Sequence, residues 1–192
     1  WLEDKAMDGP PVAVPEGDVD WHGVRGAVVV DDVLYYGDSS GRFIRQAFAD
    51  GSYGESSEID PYNDPLWSDV TTGSGDTYRG IKPSFYDEIE DIVDIAYNNG
   101  KLFYTLTGSS TLYSRGFSPN SDILREEVNE IPSFTESDLG GIFFDDENQN
   151  LYFVTPADGN LSVIDWDDSA PAGDSEVVSG PSIDGIHWGD SA

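Results

Sequence analysis

The chain has 192 residues and a mass of 20.9 kDa, room for one or two domains, and its 38% hydrophobic and 12% aromatic content is enough for a packed core, which excludes wholesale disorder. Thirty-eight acidic residues against nine basic ones give a formal charge of −29 and a pI near 4.1, which excludes nucleic-acid backbones and anionic membranes as partners held by simple electrostatics. No apolar run reaches the length of a membrane span, and the lack of cysteine removes disulfides, zinc–thiolate sites and thiol catalysis together.

Twenty-six Asp outnumber twelve Glu, and the bases are three Lys and six Arg. Such a surface stays hydrated and self-repelling, which suits a secreted, extracellular or salt-exposed protein. The chain begins at Trp1 with no signal segment, so the expectation is a processed protein or one cut from a longer chain.

Three stretches overlay in chain order: GAVVVDDVLYYGDSSGRFIRQAF over 26–48, DIAYNNGKLFYTLTGSSTLYSRGF over 94–117, and GIFFDDENQNLYFVTPADGNLSVIDW over 141–166. Each reads as an apolar strand, a polar turn, a strand rich in Leu and aromatics, a second Gly/Ser/Asp turn and a third strand ending on an aromatic. Leu34 to Phe43 is nine residues, while Leu102 to Leu112 and Leu151 to Leu161 are each ten. From Leu34, Leu102 and Leu151 to Phe48, Phe117 and Trp166 the steps are 14, 15 and 15. Asp31-Asp32, Asn98-Asn99-Gly100 and 145–150 supply the first hairpin turns. The second turns fall at 37–41, 107–110 and 156–159. The spacing predicts that Leu34, Leu102 and Leu151 are buried with Phe43, Leu112 and Leu161. The sole helical expectation is a short one over 122–128, with Ser121 as its cap.

A hairpin-rich unit recurring at 45 to 50 residues predicts an all-β chain of β-propeller-type repeats, small antiparallel sheets that bury their faces against their neighbours. Leu102 to Leu151 is 49 residues; Leu34 to Leu102 is 68, so the first unit carries an insertion. One repeat domain over 1–192 is expected, with units at about 23–58, 87–134 and 137–183, an insertion at 59–86 and a partial unit over 184–192. Three units and a fragment imply an incomplete ring, whose open faces are covered by other blades of a longer parent chain, a homo-oligomer partner or the N-terminal segment.

The insertion carries IDPYNDPLWSD over 59–69, TGSGDTYRG over 72–80 and KPSFY over 82–86. With LFYT over 102–105 and LYSRGFSP over 112–119, it resembles the repeat region of secreted modular proteins in actinomycete-type bacteria. That resemblance covers most of 26–166 and implies a propeller-like module joined to other extracellular modules. The third unit departs from it, with SVIDW over 162–166 where an aromatic and Arg belong. The resemblance implies no activity, so no catalytic residue is carried over.

Several motifs have an ordinary structural reading beside the chemical one. Gly37-Asp38-Ser39-Ser40-Gly41 matches a hydrolase nucleophile pattern, but that pattern needs a strand-to-helix elbow, and here strands flank it, so it reads as a hairpin turn. His22 and His187, each beside a Trp, lack a second metal ligand at helical spacing. Gly73-Ser74-Gly75 opens no helix, and Asn160-Leu161-Ser162 is a bare glycosylation sequon. Asp60, Asp64, Asp69 and Asp76 could ligate calcium through carboxylates and loop carbonyls, with Asp60 and Asp64 the candidate metal ligands, although the spacing is not that of a known calcium loop.

Tyr62, Trp67, Tyr78, Phe85 and Tyr86 place five aromatics in one loop, either its own small core or a ligand-contact surface. Tyr62, Trp67, Asp69, Tyr78 and Arg79 are the candidate ligand-binding residues. The functional reading is a secreted binding or scaffolding module recognising carbohydrate or a protein surface. The alternative is a propeller-type carbohydrate-active enzyme using paired carboxylates.

Overall fold

A computed structural model of the chain describes residues 17, 19–60, 85, 88–125, 127–131, 138–145, 147–167 and 169–190. Asp31 and Asp32 (φ 49° and 61°) and Asn99 and Gly100 (φ 47° and 74°) turn in the left-handed sense that matches strand twist, so each closes a tight hairpin. Blade 1 is the antiparallel meander β1 (Arg25–Val30), β2 (Val33–Gly37), β3 (Phe43–Ala49) and β4 (Ser52–Glu58). Blade 2 runs β5 (Ile92–Asn98), β6 (Lys101–Leu106) and β7 (Leu112–Ser118), and its outer edge is shared by two short strands, β8 (Ile123–Leu124) and β9 (Asn129–Ile131). Blade 3 is β10 (Ile142–Asp145), β11 (Asn150–Thr155), β12 (Asn160–Asp167) and β13 (Ala170–Ser179). Three 3-10 turns, η1 (Trp21–Gly23), η2 (Ile89–Asp91) and η3 (Trp188–Asp190), are the helical elements among the described residues.

The sheets stack with their first strands together, β1 along β5 and β5 along β10. This is the arrangement of propeller blades around an axis, and the sheets do not close into a ring. Pairing register makes the repeats comparable, because Val29↔Leu34, Tyr97↔Leu102 and Phe144↔Leu151 occupy the same rung. The two faces of each blade are then filled by rule. Leu102, Tyr104 and Phe117 face blade 1, and Leu151, Phe153 and Trp166 face blade 2. Tyr35 and Phe43 look forward into blade 2, as Phe103 and Leu112 do into blade 3. All six of the leucine and phenylalanine anchors expected to be buried are at most 6% exposed.

The outward faces at the two ends are covered from within the chain. Leu34, Tyr36 and Ile44 on blade 1 lie under Val19 and Val24, and Tyr152, Leu161 and Val163 on blade 3 lie under Val178 and Trp188. Trp188 is fixed there by its indole N–H, which donates to Ser179 Oγ at 2.6 Å, and Ser179 Oγ donates in turn to Asp184 Oδ2 at 2.7 Å. Residues 180–190 form turns and η3 and add no strand.

Two expectations are corrected. The units have four strands, not three: β4 is an almost entirely exposed polar edge, and β13 is mostly exposed with no regular apolar alternation, so neither shows the pattern of a half-buried strand. The helix over 122–128 does not form: Asp122 has φ 55°, and the chain reverses so that Leu124, 1% exposed, fills the contact between blades 1 and 2 opposite Phe117.

Candidate functional site

Counting back three residues from the common rung places Gly26, Asp94 and Gly141 at one position of the three inner strands. Each strand is irregular there. β1 shifts register between Arg25 and Ala27, β5 shifts between Ile92 and Asp94, and Gly140 and Gly141 share Val154 as their bonding partner. Glycine is needed on the blade 1 side: Gly26 has φ 68°, and a Cβ there would lie 2.7 Å from Ile95 Cγ1 and 2.9 Å from the Asp94 backbone.

The close approach lets one carboxylate serve three blades. Asp94 Oδ2 accepts the Ile142 N–H at 2.7 Å and Oδ1 accepts the Ile95 N–H at 2.8 Å, while the Ala27 N–H faces the same carboxylate and favours its ionised form. Ala27, Ile95 and Ile142 are themselves register equivalents, so the same N–H of each blade converges on a single side chain. Burial of the carboxylate pushes its pKa up to about 6 against the opposing pull of these N–H groups.

Asp94 forms part of the floor of an open cleft of about 1110 Å³ along the inner strands. β1 contributes Arg25 and Ala27, β5 contributes Ile92 and Val93, and β10 contributes Ile142 and Phe143. The mouth is flanked by the two turns that cap the ends of the arc, with Trp21 and His22 from η1 and Trp188 from η3. Trp21 is 38% exposed and Val93 41%, so apolar surface faces the solvent of the cleft. Arg25 Nη1 donates to the neighbouring Val24 carbonyl at 3.3 Å, and the guanidinium has no carboxylate partner among the described residues of this strongly acidic chain. Aromatic faces, one cation and one buried carboxylate in a concave site suit a ligand with both apolar faces and polar edges.

Of the residues expected from sequence to bind ligand or metal, Tyr62, Asp64, Trp67, Asp69, Tyr78 and Arg79 lie outside the described residues. Asp60 is half-buried at the end of blade 1, and no group of three or more metal-ligating side chains occurs among the described residues. Phe85, the described member of the loop's five aromatics, is fully buried between blades 1 and 2, edge-on to Phe43 and Tyr104 at 5.3 and 5.0 Å.

The nucleophile-like motif is a hairpin turn, in which Asp38 Oδ1 accepts from Ser40 N, Ser40 Oγ and Arg42 N. Ser39 approaches η1, and His22 Nδ1 is 3.8 Å from Asp20 Oδ1, but no hydrogen bond joins Ser39 to His22, and the His22 and Asp20 side chains stand in water. Asn160 packs on Gly180, against the sequon's use as an attachment point.

Sequence reasoning missed the cleft. Its one available signal was the aspartate at 94 where the other repeats carry glycine, visible in the same overlay that revealed the units.

No protein-family model and no curated protein matches the chain. Among solved structures it is similar to part of a nidogen/laminin complex (16% identity, TM-score 0.43, 82% of this chain and 48% of that one). It is likewise similar to the glutaminyl cyclase of Myxococcus xanthus (10%, TM-score 0.40, 79% and 49%). A third is a catalytically inactive virginiamycin B lyase from Staphylococcus aureus with quinupristin (16%, TM-score 0.37, 80% and 40%). The chain spans less than half the length of each, and likeness of this degree transfers neither activity nor partner.

Proposed function

We propose that this chain is a binding module that takes a carbohydrate in the cleft along its inner strands. The observation that carries this reading is the pairing of the 1110 Å³ cleft with Trp21 and Trp188 at its mouth, one on each end cap. A pyranose ring lays its C–H face on an indole and turns its hydroxyls toward polar groups at the rim, here Arg25, Glu90 and Thr107. The resemblance to secreted modular proteins of actinomycete-type bacteria belongs to the same proposal, and a strongly acidic, hydrated surface suits that extracellular setting.

The test is intrinsic tryptophan fluorescence and retention on a broad glycan array, for the parent protein and Trp21→Ala. Retained glycans with a tenfold or greater loss in the variant support the reading, provided the melting temperature is unchanged. No retained glycan, or retention indifferent to Trp21, overturns it; turnover of a retained glycan selects the enzyme alternative, and retention of a protein alone selects protein-surface recognition.

A further inference from the structure

Ala27, Ile95 and Ile142 present the same N–H from three successive blades, and the single residue that receives all three is the one non-glycine at its rung. Asp94 also lines the cleft, so its carboxylate can exchange a proton with solvent there. A protonated carboxyl carries an O–H on one oxygen and accepts more weakly there, so the two N–H bonds and the facing Ala27 N–H that suit an anion no longer suit the group they meet.

We propose that Asp94 is a proton-operated pin at the centre of the arc, which couples the inner strands of all three blades to the charge of the cleft floor. Ionised, it binds the Ile142 N–H of blade 3 and the Ile95 N–H of blade 2 under the facing Ala27 N–H of blade 1 and leaves a negative floor; protonated, it loosens these contacts together and leaves a neutral one. The charged and titratable groups that line the cleft with it are His22 from η1, Arg25 from β1 and Glu90 from η2, while β10 and the 154–156 turn add none. None of these drives the position of its titration: burial raises the group to about 6, and the N–H groups of Ile142, Ile95 and Ala27 oppose it. The switch therefore falls between mildly acidic and neutral solution, where an ordinary aspartate is fully ionised. For the ligand, which rests on the cleft reading above, a neutral floor removes a charge that a sugar must otherwise desolvate, so affinity rises on acidification.

The test is an NMR titration of the full chain from pH 4 to 8, following the Asp94 carboxyl carbon and the Ala27, Ile95 and Ile142 amides. Because histidines titrate in the same window, it is repeated in a His22→Gln, His187→Gln double variant. The four signals are expected to move together with one midpoint near 6 in both proteins, and the amide response to vanish in Asp94→Asn. A carboxyl midpoint near 4, amides that stay still, or amides with separate midpoints overturn the pin, and these readings come from the parent protein even if Asp94→Asn does not fold. Glycan affinity across the same range separates the two proposals. Shared titration with no glycan bound at any pH keeps the pin and removes the cleft reading; glycan binding without shared titration does the reverse.

Discussion

Between blades 1 and 2, Arg115 lies 2% exposed on the third strand, with its Nε donating to the Arg125 carbonyl at 2.8 Å, its Nη1 3.6 Å from Glu88 and its guanidinium over the Phe85 ring. At the equivalent rung between blades 2 and 3 stands Ile164, among Phe103, Phe144 and the indole of Trp166. A second arginine joins the first contact from the other side, where Arg45 of blade 1 reaches Asp122 of blade 2 and Tyr35 donates its hydroxyl to the same carboxylate at 3.1 Å. The second contact has two polar links between side chain and backbone, Thr105 Oγ1 to the Gly140 carbonyl at 3.2 Å and the Ile142 N–H to Asp94 Oδ2 at 2.7 Å, and no ion pair among the described residues. One backbone frame thus accepts two kinds of cohesion. Apolar packing with hydrogen bonds serves where rings interdigitate, and ion pairs appear where Glu88 and the β7–β8 turn meet the contact beside Phe85.

Truncation at each contact is the harshest way to break this comparison. Trp166→Ala removes the largest ring of the apolar contact and is expected to cost about 3–5 kcal/mol in denaturant unfolding. Arg115→Ile copies the apolar solution into the other contact and is expected to cost about 2–3 kcal/mol, because it strips Glu88 and the Arg125 carbonyl of their partner. If Arg115→Ile is neutral or stabilising, the two contacts are interchangeable and the arginine is no more than a filler.

The glycines beside Asp94 give a graded comparison between the same two contacts. Gly26→Ala forces a left-handed residue and a Cβ against Ile95 and the Asp94 backbone, so a loss of about 2–4 kcal/mol is expected. Gly141→Ala meets Asp94 Oδ2 at 3.4 Å and Val154 Cγ2 at 3.9 Å with no positive φ, and is expected to stay within about 1 kcal/mol of the parent. Equal losses at the two sites would show that blade 1 approaches Asp94 no more closely than blade 3 does.

How far the sequence reveals this depends on what each residue signals. Leu34, Leu102 and Leu151 repeat because each fills the same face of its blade, packed on the preceding blade or, for Leu34, on Val19 and Val24, and Phe43, Leu112 and Leu161 repeat on the opposite face, packed on the following blade or, for Leu161, under Val178 and Trp188. The meander and the orientation of the faces were therefore readable as spacing. The fourth strands were not, since an edge strand such as SYGESSE over 52–58 is held by backbone ladder bonds that leave no apolar trace. Residues 122–128 misled for the opposite reason, a helical composition overridden by the place that Leu124 takes between blades. The cleft was hidden because its wall is assembled from three inner strands and two end caps, far apart in sequence, and because its mouth residues Trp21 and Trp188 fall outside the repeats.

Acid provides a smaller effect, and its sign is fixed by the direction of the Asp94 shift. The folded value, about 6, lies above the ordinary 3.8, so the fold takes up this proton more readily than the unfolded chain does. Below about pH 4 the carboxyl is neutral and the fold bears no cost of burying its charge; as the pH rises through 6 that cost appears and outweighs the stronger N–H bonds of the ionised form, so stability is lost. The parent is therefore expected to gain about 1–3 kcal/mol relative to Asp94→Asn on going from pH 7.5 to 4, measured by urea unfolding of both at each pH. Subtracting the variant cancels the relief of self-repulsion that every other carboxylate contributes on acidification. A flat difference would show that the carboxylate is not desolvated at the junction of the blades.

The smallest expected effect separates the two interactions that share Asp122. Burial and then the Asp122 charge hold the Tyr35 phenol well above its ordinary pKa, so it remains a neutral donor throughout the working range. Tyr35→Phe keeps the ring contacts with Phe43 and Phe117 and deletes only that hydrogen bond, for a cost of about 1 kcal/mol. Arg45→Gln deletes the charge instead, from a guanidinium 40% exposed beside an Asp122 side chain that is 18% exposed, and is expected to cost about 0.5–1 kcal/mol at low ionic strength. Raising the salt to about 1 M shortens the screening length to roughly 3 Å, which should erase most of the Arg45 effect and leave that of Tyr35 nearly unchanged. Trp166→Ala, at the contact without ion pairs, serves as the reference whose cost does not fall with salt. If Tyr35→Phe and Arg45→Gln lose their effects together, the hydroxyl acts only by orienting the ion pair, and the polar cohesion of the first contact reduces to one screened charge pair.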